Sequence, residues 1–98
     1  MEDQMPKYVV QGTFPDGLRV PVGNGGAVLC RRVVERNALE GVTWISSFVS
    51  EDHRRTFCIY EAPSPEAIRR TAARSNLPVD RITRVSVLDP HFYEMRRE

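Results

Sequence analysis

The stretch Gly41–Ala62, GVTWISSFVSEDHRRTFCIYEA, constrains this chain more than any other. Two runs rich in β-branched and aromatic residues flank a short charged break, Glu51-Asp52-His53-Arg54. That pattern predicts two strands joined by a hairpin. In the first strand, strict alternation puts Val42, Trp44, Ser46 and Phe48 on one face and Thr43, Ile45, Ser47 and Val49 on the other. In the second, Phe57, Ile59 and Glu61 alternate with Thr56, Cys58, Tyr60 and Ala62. Apolar residues therefore occur on both faces of both strands.

Helical patterns lie on either side of this hairpin, and a strand lies beyond each. Tyr8–Phe14 reads as the first strand, with Tyr8, Val10, Gly12 and Phe14 on one face. Gly12 inside it marks a bulge or a close approach. Pro15–Gly26, dense in Gly and Pro, reads as a long loop. Ala27–Leu39 carries Ala27, Cys30, Val34 and Ala38 at helical spacing, with Val33 beside them, and Gly41 suits the C-terminal cap. After the hairpin, Ser64 is a good N-cap, Pro65 fits the first helical position and Glu66 complements the dipole. This second helix is expected to run to about Ser75. Ile68, Ala72 and Ala73 would face the sheet, and Arg69, Arg70 and Arg74 would face away. Asn76 can take the left-handed cap conformation, and Pro78 stops the helix. Arg81–Leu88 is the last strand.

The order strand, helix, strand, strand, helix, strand is the ferredoxin-like βαββαβ arrangement. The fold class is α+β: a four-stranded antiparallel sheet with two helices on one face. Residues 1–98 form a single domain, with 1–6 and 91–98 as flexible tails. Apolar residues on the second sheet face call for a cover, because a large exposed apolar patch marks an interface. A symmetric homodimer with its sheets face to face, a dimeric α/β barrel, supplies that cover.

Composition excludes some functions. With 14 basic and 13 acidic residues the net charge is +1, which argues against nucleic acid as a partner. No apolar run approaches the roughly 18 residues of a membrane span. Met1–Pro6 is acidic and has no apolar segment of the signal-peptide kind, so the expected compartment is the cytoplasm. Cys30 and Cys58 are then expected to be reduced.

Gly41-Val42-Thr43-Trp44, Cys58-Ile59-Tyr60-Glu61-Ala62 and Leu77-Pro78-Val79-Asp80 resemble a family of small bacterial proteins. That family was catalogued as a domain of unknown function, and it includes a nickel-responsive, nickel-binding member with a dimeric ferredoxin-like fold. The resemblance runs from about Tyr8 to Pro90. It implies a small cytoplasmic binding protein, non-enzymatic, that buffers nickel(II) or another divalent transition metal. Asn76 stands where family members often carry Gly, a change the left-handed cap tolerates.

Histidine, thiolate and carboxylate suit such an ion. The candidates are Asp52 and His53 in the hairpin turn, joined by His91 and Asp89 if the last strand brings them close. A second set is Cys58 with Tyr60 on one strand face, repeated across a dimer axis, with Glu61 to complete a weak, open site. Each has a plainer role. His53 in a charged turn is ordinarily solvated, a free cysteine such as Cys30 or Cys58 is ordinarily buried, and Glu61 ordinarily pairs with an arginine such as Arg84. No zinc-finger spacing, HExxH helix or GxSxG elbow is present. Gly23–Gly26 before a helix lacks the Walker lysine and the GxGxxG spacing. The alternative to metal binding is an enzyme or ligand-binding protein of the dimeric α/β-barrel kind, acting on a small apolar molecule beside Tyr60 or Trp44. A bare dimerisation module is the third reading.

Overall fold

The protein is described here by a computed structural model, over residues 5–19, 24–88 and 90. Its elements follow the expected order: β1 (Lys7–Thr13), α1 (Asn24–Ala38), β2 (Thr43–Val49), β3 (Arg55–Glu61), α2 (Pro65–Arg74) and β4 (Arg81–Val85). The strands form one antiparallel sheet in the order β2-β3-β1-β4, consistent with a ferredoxin-like α+β fold. Asp89, His91 and the C-terminal residues beyond lie outside the described residues, so the proposed meeting of His91 with the hairpin turn does too.

One sheet face is covered. Tyr8, Val10, Tyr60 and Ala62 from the sheet meet Ala67 and Ile68 of α2, with Val42 at the entry to β2. Trp44, Cys58, Val79 and Ile82 pack against this cluster. Alternation therefore holds along β1 and β3. It fails along β2. Trp44 pairs with Tyr60 and Ser46 with Ile59, so Ile45 is a bulge residue. Ser47 then pairs with Cys58 on the covered side, and Phe48 with Phe57 on the open side. Trp44 Nε1 donates to Ser47 Oγ at 2.7 Å, a contact between residues three apart that a regular strand would place on opposite faces. Trp44 and Phe48 thus do not share a face, contrary to the unbroken alternation.

Gly12 marks a close approach rather than a bulge. A Cβ there would lie 2.7 Å from the backbone oxygen of Pro78. The segment after α2 runs this close because Asp80 N donates to Gln11 O at 2.7 Å.

The helices begin and end for identifiable reasons. Ser64 Oγ accepts from Ala67 N, Pro65 opens α2, and Asn76 adopts φ +57° after its end. Gly41, at φ +73°, turns the chain after α1. Helix α2 buries Ala67, Ile68 and Thr71, while Ala73 is exposed. Helix α1 starts three residues earlier than its apolar spacing suggests, at Asn24. Its inward stripe is Cys30, Val33 and Asn37, whereas Val34 and Ala38 are exposed. Glu40, just past α1, ties the two helices together. It accepts from Arg70 Nε at 2.9 Å and lies 2.9 Å from Arg74 Nη2. The Arg70 hydrogen bond holds the Glu40 carboxyl below its ordinary value of 4.5.

Candidate functional site

Helix α1 does not pack flat on the sheet. Between α1, α2 and the covered face lies a cavity of about 410 Å³. Its floor is Val10, Trp44, Cys58 and Tyr60, and its sides are Cys30 and Val33 of α1 and Ile68 and Ala72 of α2. Leu18 and Leu77 from the flanking loops also reach it. The size falls within the range of about 300–1,000 Å³ common for small-molecule sites. Most of the wall is apolar, as expected of such sites.

Among the described residues two buried polar groups on this wall have no partner. Asn37 is 3% exposed and its Nδ2 makes no hydrogen bond; the Ser75 hydroxyl is also unpaired. Leaving a buried donor unsatisfied costs about 1–3 kcal/mol, so such groups call for an explanation. Thr71 and the Trp44–Ser47 pair on the same wall are engaged. Thr71 Oγ1 donates to Ile68 O at 2.9 Å, and the Trp44 indole is satisfied by Ser47. Burial pushes the Tyr60 phenol well above its ordinary value, and the Cys58 thiol adds to the shift. Tyr60 therefore stays protonated at neutral pH and serves as a hydrogen-bonding group rather than a base.

The five candidate metal ligands are dispersed. Asp52 shapes the hairpin turn: its Oδ1 accepts from Ser50 Oγ at 2.7 Å and from Arg54 N at 3.0 Å. The Ser50 hydrogen bond, with the Arg54 amide, lowers its pKa. His53 has an exposed side chain and a left-handed backbone at φ +63°. Its carbonyl accepts from Leu18 N at 2.7 Å, which ties the start of the long loop to the turn. Glu61 is at the far end of β3 and pairs with Lys7 at 3.0 Å, not with Arg84. Cys58 and Tyr60 face the cavity. Among the described residues no three His, Cys, Asp or Glu side chains converge as metal ligands. Within one chain the described donors therefore do not gather around a nickel ion.

Cys30 and Cys58, both unbridged, contribute to the same cavity from opposite walls. Asn37 escaped the reading of the sequence, although a signal existed. It lies seven residues after Cys30 and four after Val33, so helical spacing sets it on the inward stripe. Among the described residues no helix is long and apolar enough to cross a membrane.

No curated protein matches the chain in sequence. A solved structure does resemble it, the crystal structure of SCO4226 from Streptomyces coelicolor A3(2). The identity is 17%, the TM-score 0.66, and the match covers 85% of this chain and 99% of that one. At that identity the likeness supports the fold. The family model described as nickel responsive protein SCO4226-like matches residues 8–85, and by that match over most of its length the chain belongs to the SCO4226-like nickel responsive protein family.

Proposed function

We propose that this chain is a cytoplasmic binding protein, not an enzyme, that acts as a homodimer and holds a small, largely apolar molecule in the cavity between sheet and helices. The cavity itself carries the reading: about 410 Å³, walled by Val10, Trp44, Tyr60 and Ile68, with unsatisfied polar atoms inside. A protein interior is otherwise close-packed, with few voids larger than a water. Among the described residues the wall holds no histidine or carboxylate to act as a base, which favours binding over catalysis.

Thermal unfolding in toluene-saturated buffer tests the reading, because a ligand that binds only the folded state raises the melting temperature. A rise is expected for the wild type and none for Ala72→Phe, whose ring fills the cavity. No rise in the wild type, with the control variant folded, ends the cavity reading.

Family membership favours a second reading, direct binding of nickel(II) at a site shared between two copies. His53 and Asp52 are its donors, since Cys58 and Tyr60 face the cavity of their own chain and Glu61 pairs with Lys7. The exposure of the His53 side chain and the Asp52 carboxylate in one turn supports it. Calorimetry with untagged protein at pH 7.5 should then give modest nickel affinity that His53→Ala weakens. Absence of both heat and thermal stabilisation would remove the metal and leave the cavity.

A further inference from the structure

The cavity is not electrically neutral. Among the described residues its only charged wall groups are Arg32 and Arg36, and it has no Asp or Glu. The two arginines are four residues apart on α1, hence neighbours on one helix face. Both are exposed, so they form the rim, while Asn37, next in sequence to Arg36, is buried inside. Among the described residues neither arginine enters an ion pair. The unsatisfied Asn37 Nδ2 is a donor, as are the guanidinium groups. Donors and positive charge thus gather on the α1 side of a largely apolar space.

We infer that the cavity ligand is a monocarboxylic acid with an apolar body, its carboxylate held by Asn37 and the Arg32–Arg36 rim and its body lying against Trp44, Val10 and Ile68. The inference rests on the cavity reading proposed above. A carboxylate is acceptor-only and matches the planar fork of an arginine. A cationic ligand would meet like charge at the rim. Size sets the body. At the roughly 30 Å³ that a water occupies in the liquid, the cavity holds on the order of a dozen non-hydrogen atoms. A ten-carbon fatty acid has that bulk. The Ser75 hydroxyl supplies a further hydrogen bond for the acid or for a water beside it.

The molecule carries its own reporter, since Trp44 is the one tryptophan of the chain and lies on the cavity wall. Decanoate, decan-1-ol and decylammonium, each titrated below its aggregation limit at pH 7.5, share a body and differ only in the head group. Decanoate should change the Trp44 emission and bind at least tenfold more tightly than decan-1-ol, with decylammonium weakest. The double variant Arg32→Gln/Arg36→Gln alters exposed side chains and so retains the fold. It should lower decanoate affinity about tenfold and leave decan-1-ol unchanged. Equal binding of acid and alcohol, or a double variant that preserves the preference, overturns the inference while the cavity reading stands. Binding of none of the three overturns both.

Discussion

Ile68→Ala should cost about 2–5 kcal/mol of unfolding free energy, the usual range for deleting a buried isoleucine side chain. Ile68 is 1% exposed and is the largest fully buried side chain among the described residues. It stands where α2 meets the sheet and also forms part of the cavity wall. The neighbouring space is open on one side, so the wall cannot easily close over the new gap. In a domain of this size each kcal/mol moves the melting temperature by about 4–8 °C, so a fall on the order of 10 °C or more is expected. Thermal unfolding followed by circular dichroism measures it. A fall of only a degree or two would mean that α2 settles freely onto the sheet and that the cavity is not held open by Ile68.

Ile59→Arg should leave the fold of the single chain intact and halve the mass of the particle. Ile59 lies on the open face of β3, between Ser46 of β2 and Val9 of β1. Phe57 and Phe48 pair beside it, and Phe48 is 62% exposed. A monomer would leave this aromatic and aliphatic strip in water, whereas two copies sheet to sheet would bury it. An arginine in the middle of that contact would meet its own symmetric copy, two like charges facing each other in a desolvated layer. Light scattering at micromolar concentration should find a dimer for the wild type and a monomer for the variant. A wild-type monomer would remove the sheet-to-sheet dimer.

The fold was legible in the sequence because each element carries its own punctuation. Ser64-Pro65 opens α2, Asn76 and Pro78 close it, and Asp52-His53 sits where the hairpin turns. Alternation gave β1 and β3 their faces correctly. It misplaced Phe48 because the bulge at Ile45 has no Gly or Pro to announce it. A count of two is unforgiving, since one extra residue exchanges the faces of all that follow. The stripe of α1 was read as Ala27, Cys30, Val34 and Ala38 with Val33 beside them, and of these Val34 and Ala38 prove exposed. The burial of polar Asn37 shows that spacing from Cys30 and Val33 was the better guide. A ligand site beside Tyr60 or Trp44 was expected and both line the cavity, but its place between the helices and the sheet depends on how far α1 stands off, which no local pattern encodes. The candidate metal ligands were chosen by residue type, and type does not bring side chains together. Cys58 and Tyr60 do share a face, but with the cavity, while Glu61 is drawn off by Lys7.

The bulge also makes one residue of β2 dispensable in a way its neighbours are not. Loss of Ser47, say, would shift Phe48 into the covered layer or drag Trp44 out of it. Loss of Ile45 does neither: Trp44 stays opposite Tyr60, Ser46 opposite Ile59, and the two strands run in step. A one-codon deletion at that point would regularise the ladder instead of scrambling it, at the expense of the extra local twist that a bulge imparts. Strand β2 thus has a built-in tolerance to length change at one site, and chains one residue shorter there can keep the same two faces.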